Sequence, residues 1–366
     1  MLSARELLAH AETLSDSVQL VDRILRAGLL IHASDVHLDP SADSVRVRFR
    51  IDGMLEEVLR IPAAMQSAVT SRLKVLASLD IAERRAPQDG GFSWRMGGAG
   101  AFNAPPLDVR MATLPVRYGE RVTLRLLEAG GRRLGIGDLG MSAADRAAFD
   151  SVLRRPHGLV LLTGPTGSGK TTTLYAAIQE LLSVAPLNII TVEDPIEYDI
   201  PGVAQAEVDS ADKVNFSKAL KSILRHDPDV VMIGEIRDSD SLDAAVKAAL
   251  TGHLVLSTLH TNDARSAVTR LVDMGLDANL VPATLRLAIA QRLVRRLCPE
   301  CREKGPRGWT PKGCTACGGR GYMGRIGLFE LYSPETGLTT SMADDARAKI
   351  DAGVTSEAEV LRVVGI

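Results

Sequence analysis

Gly164, Pro165, Thr166, Gly167, Ser168, Gly169, Lys170 and Thr171 take the full G-x-x-x-x-G-K-[ST] spacing of a phosphate-binding loop. Glycines at those intervals let backbone N–H groups approach phosphate oxygens, and a following helix adds partial positive charge at its N-terminus. In this spacing Lys170 reaches the β- and γ-phosphates, the Thr171 hydroxyl ligates Mg²⁺, and Thr172 continues the cradle into the helix. The context fits: Leu159-Val160-Leu161-Leu162 reads as a buried strand before the loop, and Thr172 to Ile178 reads as a helix start after it.

Three further segments can contribute to phosphate chemistry. Ile189 to Tyr198 places Glu193, Asp194 and Glu197 at the C-terminal end of an apolar strand, where open α/β sheets bind ligands. Val230-Val231-Met232-Ile233-Gly234-Glu235 is a second apolar strand with an acid just past it, similar to a Walker B element. Thr251 to Thr261 is a third, flanked by His253 and His260. A strand-end acid is as often a cap or ion-pair partner, and a lone histidine is more often a hydrogen-bonded core residue than a catalytic one, so each alone is a weak signal. Cys298-x-x-Cys301 and Cys314-x-x-Cys317 are a separate site. Two C-x-x-C knuckles supply four thiolates, which close a tetrahedral, structural Zn²⁺ sphere with no position left for water.

These groups need a scaffold of some size. The 366 residues suggest two or three domains, and 45% apolar with 24% charged residues is ordinary globular composition. A net charge of −2 and only 4% aromatics disfavour a nucleic-acid motor, because both a basic field and stacking platforms are scarce. No apolar run is long enough to span a bilayer and no signal peptide opens the chain, so a cytoplasmic location is expected, with any membrane association made through partners. Four cysteines in a reducing compartment are poor disulfide candidates.

The hydrophobic pattern predicts an N-terminal α+β unit over residues 1–129. Leu20, Val21, Ile24, Leu25 and Leu29 recur at helical spacing, and Val45–Ile51 alternates apolar residues with arginines. Asp52-Gly53 then turns into a second strand, Met54–Leu59. A helix over 63–82 and strands near Asp108–Ala112 and Val122–Leu127 complete the unit. Residues 130–137 are glycine-rich and read as a linker. From 138 to 297, strands at 159–163, 188–192, 230–234 and 254–258 alternate with helices, the signature of a mostly parallel α/β sheet covered on both faces. A cysteine- and glycine-rich zinc subdomain over 298–330 and a helical tail over 331–366 follow.

Taken together, these motifs resemble the ATPases of type II secretion and type IV pilus assembly, over most of the chain. The family's Walker A is 164–171, its Asp box Thr191 to Tyr198, its Walker B Leu224 to Asp238, and its His box Gly252 to Asn262. Ala33 to Pro40, Arg50 to Gly53 and Thr113 to Arg121 look like the family's second N-terminal domain. The resemblance implies a PAS-like domain followed by a RecA-like ATPase core. It also implies roles: Glu235 orients or deprotonates the attacking water, with Glu193 as the second choice. Asp194 helps hold the metal shell, and His260, or less directly His253, senses the γ-phosphate. The family also inserts arginines from the first domain into the nucleotide site, which points to Arg110 and Arg125, with Arg121 nearby. After Asp89-Gly90 the family carries arginine where this chain has Gly91.

The function implied is Mg²⁺-dependent hydrolysis of ATP to ADP and phosphate that powers pseudopilus or pilus assembly. The chain would act as a homo-oligomer, a hexameric ring, that drives an inner-membrane platform protein and makes no direct contact with nucleic acid. The four cysteines favour assembly over retraction, because retraction ATPases of the pilus lack them; the twelve-residue spacer is shorter than the family's. The family's long N-terminal docking domain has no counterpart here, so the chain is either a short member or a shortened one, the latter expected to turn over slowly without its membrane-anchor partner. A conjugative or DNA-uptake ATPase and a nucleotide-binding regulator with weak hydrolysis are the alternatives.

Overall fold

Val45, Val47, Phe49 and Ile51 face one way and the intervening arginines the other, so this strand has an apolar face to bury. The computed structural model describes residues 7–8, 16–95, 106–128, 134–208, 216–306 and 308–365, and it divides into two units, Met1–Arg132 and Arg133–Ile366.

The first unit is a six-stranded antiparallel sheet in the order β3-β2-β1-β6-β5-β4. Its strands are β1 (Asp35–Pro40), β2 (Ser44–Ile51), β3 (Met54–Pro62), β4 (Gln88–Trp94), β5 (Leu107–Val116) and β6 (Gly119–Glu128). Helices α1 (Ser17–Leu30) and α2 (Gln66–Leu76) cover its apolar face. Leu20, Ile24, Val69 and Leu73 pack there against Val36, Val47, Phe49, Met111 and Leu124. The Asp16 carboxylate starts α1 by accepting the Val18 N–H at 2.8 Å. The β5–β6 hairpin is longer than its two predicted strands, and helix α2 is shorter than the predicted 63–82.

The second unit is built on an eight-stranded sheet, ordered β16-β15-β12-β7-β11-β10-β8-β9. The parallel part comprises β12 (Leu285–Leu297), β7 (Gly158–Thr163), β11 (Leu254–Leu259), β10 (Val230–Ile233), β8 (Ile189–Glu193) and β9 (Ala204–Glu207). Both faces of β7 are buried. Leu159 and Leu161 feed the core made with α5 (Phe216–Ile223), α6 (Ser239–Leu250), α7 (Ser266–Asp273), α9 (Met342–Asp351) and α10 (Glu357–Val364). Val160 and Leu162 feed the opposite core, made with α3 (Ala143–Leu153) and α4 (Lys170–Val184). A short turn, α8 (Val281–Thr284), leads into β12.

Three segments differ from the sequence reading. Strand β12 lacked an assignment, yet it pairs with β7 on one side and with β15 (Tyr322–Ser333) on the other. The tail is not wholly helical: β15 runs to Ser333 and β16 (Gly337–Thr340) pairs back on it before α9 begins. Tyr322–Ser333 is thus a strand of the main sheet, with Leu328, Phe329 and Leu331 fully buried; Gly324 and Gly327 had disguised it as loop. Of the glycine-rich stretch at 130–137, residues 130–133 lie outside the described residues. Ile136 is buried in the core shared with α3 and α4, so the end of that stretch belongs to the second unit.

Candidate nucleotide site and cysteine knuckle

The loop leaves β7 at Thr163 and enters α4 at Lys170. Gly164 and Gly169 hold φ of +143° and +91°, conformations that disfavour a side chain. Space excludes one too: a Cβ on Gly164 would lie 2.5 Å from the Gln291 carbonyl, and one on Gly169 would lie 2.7 Å from Gln291 Nε2. Gln291, on β12, is therefore the back wall of the loop, and its Oε1 accepts the Thr173 hydroxyl at 2.8 Å. Lys170 Nζ donates to the carbonyls of Gly164 (2.7 Å) and Pro165 (3.1 Å). Burial, together with the charge of Arg292, holds its pKa below the usual lysine value. Thr171 is exposed and Thr172 half-buried at the open helix start. Ser168 Oγ is buried without a partner among the described residues. A helix N-terminus with a free buried hydroxyl, an exposed Thr171 hydroxyl and a lysine fits a phosphate–Mg²⁺ group.

The C-terminal ends of β11, β10 and β8 follow the loop in that order along the same side of the sheet, because all run parallel to β7. Glu235 follows β10 and is fixed by the backbone on both sides. Gly234 N–H donates to Val192 O at 2.8 Å, Ile236 N–H donates to Thr258 O at 3.0 Å, and Thr258 Oγ1 donates to Gly234 O at 2.8 Å. Its side chain stays 22% exposed, with Oε2 at 3.5 Å from His260 Nε2 and Oε1 paired with Arg237 Nε. Arg237 also reaches toward Asp194, Nη1 to Oδ2 at 3.6 Å. His260 is pulled below the ordinary histidine value by burial and by the charges of Lys170 and Arg237, partly offset by a hydrogen bond with the Gly164 backbone. It is therefore a neutral imidazole at neutral pH, between the loop and the acid.

The structure thus brings Glu235 and His260 together beside the loop that carries Lys170 and Thr171, and Arg237 links Glu235 to Asp194. Glu193 lies at the same edge but only 3% exposed, its carboxylate turned inward onto Tyr175, Thr191 and Gln205. His253 is at the other end of β11, its Nδ1 at 3.0 Å from Ala248 O. Seven residues of extended chain separate it from His260, roughly 20 Å. Two cations had no signal in the sequence reading. Arg237 sits two residues past Glu235, where its contact depends on the loop's turn. Arg292 lies on the unassigned β12, where its guanidinium donates to Asn262 O at 2.8 Å and Gln291 O at 3.1 Å.

Arg110 and Arg125 face each other across the β5–β6 ladder, on the polar face of the first unit. Arg125 pairs with Asp35 at 3.2 Å, and Arg48 and Arg121 pair with Asp39 at 2.7 and 3.0 Å. Gly91 is the β4 residue directly opposite Arg110.

The four cysteine Sγ atoms lie within 4.8 Å of one another. Three of the separations are 3.8, 3.9 and 3.8 Å. A tetrahedron with Zn–S of about 2.3 Å has edges of about 3.8 Å, so the donor set fits zinc. Backbone amides of Cys314 (3.2 Å) and Gly321 (3.1 Å) donate to Cys317 Sγ, the kind of support a thiolate ligand receives. The short hairpin β13 (Arg302–Gly305) and β14 (Gly308–Pro311) stands on this knuckle. Arg302 donates to Gly353 O and Trp309 Nε1 donates to Asp351 O at 3.3 Å, which docks the turn between α9 and α10.

Residues 10–364 match the family model described as type II/IV secretion system protein. Type II secretion system protein HxcR of Pseudomonas aeruginosa is 45% identical over an alignment that covers 94% of this chain and 77% of that protein. Type II secretion system ATPase E of Vibrio cholerae is 43% identical, over 99% of this chain and 78% of that protein. Among solved structures, the pilus retraction motor PilT with bound ADP aligns with a TM-score of 0.59 at 28% identity, over 91% of this chain and 87% of that one. The Legionella pneumophila ATPase DotB aligns with a TM-score of 0.71 at 22% identity, over 93% of both chains, a likeness of fold.

Proposed function

The chain belongs to the type II/IV secretion system protein family, and from that premise we propose how its residues hydrolyse ATP to drive secretion or pilus assembly. The supporting observation is the convergence of the phosphate loop, Glu235 and His260 at the ends of adjacent parallel strands. The loop amides and Lys170 hold the phosphates, and the Thr171 hydroxyl, helped by Asp194 as in the family's pattern, would hold Mg²⁺, which neutralises charge on the phosphate oxygens when bound. Glu235 orients the attacking water. His260, between Gly164 and Glu235, reports whether a terminal phosphate is present. By the family's pattern, Arg110 and Arg125 are the arginines that would add charge to a bound nucleotide; a planar guanidinium suits this because it stays charged and pairs bidentately.

The active form is a hexameric ring at the cytoplasmic face, working on an inner-membrane platform protein, with zinc in the cysteine knuckle as a structural ion. Among the described residues no helix is long and apolar enough to cross a membrane. The knuckle favours assembly or secretion over retraction.

The decisive test is steady-state ATP hydrolysis by Glu235→Gln. Loss of the water-orienting carboxylate lowers kcat by about 10²-fold or more with nucleotide binding retained. Turnover equal to the parent's would remove Glu235 from the reaction.

A further inference from the structure

Glu193 ends β8 beside Glu235, yet its environment is the opposite. Oε1 accepts the Thr191 hydroxyl at 2.6 Å and Gln205 Nε2 at 3.0 Å, and Oε2 accepts the Tyr175 hydroxyl. The three donors come from α4, β8 and β9, so the carboxylate is a junction between three elements. The Glu193 side chain is 3% exposed and both its oxygens are engaged by protein donors, whereas Glu235 stands partly open.

Tyr175 is itself fully buried, five residues along α4 from Lys170. Its hydroxyl also accepts the Glu197 N–H at 3.3 Å, and the Tyr198 ring packs edge-on against it with centroids 4.6 Å apart. Gln205 closes the same segment from the other side: its Nε2 donates to Tyr198 O at 3.2 Å and its Oε1 accepts Ile200 N–H at 2.7 Å. The acidic loop 194–200 is thereby pinned to the helix that carries Lys170. Asp194 is next to Glu193 in the chain and 3.6 Å from Arg237, which holds Glu235. A shift of Glu193 therefore passes through Asp194 and Arg237 to Glu235.

We propose that Tyr175 is a positioning residue for ATP hydrolysis: acting through Glu193, it fixes the acidic loop to the phosphate-loop helix and so sets the place of Glu235. Glu193 is the anchor of that loop and does not touch the attacking water. Burial, and then the hydrogen bond to Glu193, raise the Tyr175 pKa well above the usual tyrosine value, which keeps the hydroxyl a donor. The inference rests on Glu235 as the water-orienting acid.

The experiment measures kcat, KM for ATP and binding of a fluorescent ADP analogue with Mg²⁺ on the full chain. Tyr175→Phe and Glu193→Gln each lower kcat about tenfold or more, while KM and ADP-analogue binding stay within about threefold. The double variant is no slower than the slower single one, because both remove one linkage. A merely structural role would not produce this split and non-additivity. Gln205→Ala, at a half-buried position, lowers kcat in the same direction by less and serves if Tyr175→Phe does not fold. A Tyr175→Phe kcat within twofold of the parent's overturns the proposal. So does a Glu193→Gln variant as slow as Glu235→Gln beside a fully active Tyr175→Phe, since Glu193 would then act on its own. Full activity of Glu235→Gln overturns the assignment of Glu235 instead, and the Tyr175–Glu193 cycle still reads the linkage.

Discussion

At the C-terminal end of the central strand β7, Ser168 Oγ is buried without a partner among the described residues, Thr171 is exposed, and Lys170 leans on carbonyls of its own loop. In the cysteine knuckle, four sulfurs point at one another and backbone amides finish the set. The first arrangement leaves polar groups that a ligand must satisfy, and the second is complete with one ion. A site that turns over has to release what it binds, so its groups stay open. A site that only holds the chain together gains from closing every position.

The contrast predicts a double dissociation. Lys170→Ala lowers ATP turnover by about 10²-fold or more and leaves the melting temperature within a few degrees, because the loop's shape is set by its glycines and Gln291. Cys314→Ser does the reverse: zinc by metal analysis falls from about one equivalent to below half, and the melting temperature drops, because metal binding is folding free energy for such a knuckle. A Cys314→Ser protein that melts like the parent would put the knuckle outside the stability of the second unit.

A smaller effect sharpens the same divide on the closed side. The turn docked by Arg302 and Trp309 leads into α10, where Glu359 is buried between Arg295 and Arg362. Burial alone would raise its pKa, but the hydrogen bonds from Arg362 and Arg295 outweigh it and bring the value down to about 2 from 4.5. A carboxylate depressed in the folded state contributes stability that is complete above its unfolded pKa and is lost as pH falls through the folded one. Amide exchange of α10 should therefore be pH-independent in its protection above about 4.5 and weaken between there and about 2. Glu359→Gln should remove that dependence.

The smallest effect reads the open side. His260 is held low by burial first and by Lys170 second. Its ring signals by NMR should titrate below the ordinary histidine value in the parent and move up in Lys170→Ala. No upward movement would mean that the two groups do not share a field.

How much of this was legible in the sequence depended on whether backbone or tertiary contacts decide the feature. The phosphate loop was legible because its glycines are demanded by local geometry, and the cysteine knuckle because spacing alone brings the thiolates together. Glu235 and Glu193 look identical in sequence, each an acid after a buried strand. What separates them is Tyr175, eighteen residues earlier, and Gln205, twelve residues later, and no local pattern announces either. Strand β12 was hidden for another reason. Its Leu, Ala, Gln and Arg residues are good helix formers, and only the neighbours β7 and β15 make it extended. Arg292 was lost with it.

Strand β7 feeds Leu159 and Leu161 to one core and Val160 and Leu162 to the other. In a strand apolar on both sides, sliding by one residue would exchange the two faces at little hydrophobic cost. The polar stop at its end is what makes such sliding expensive. Thr163 Oγ1 donates to Thr261 O at 2.9 Å and accepts the Thr261 N–H at 2.7 Å, and Gly164 fits against Gln291 only where it stands. The phosphate-binding end of the strand is thus also its index mark, so substitutions there misalign the central sheet as well as weaken a ligand.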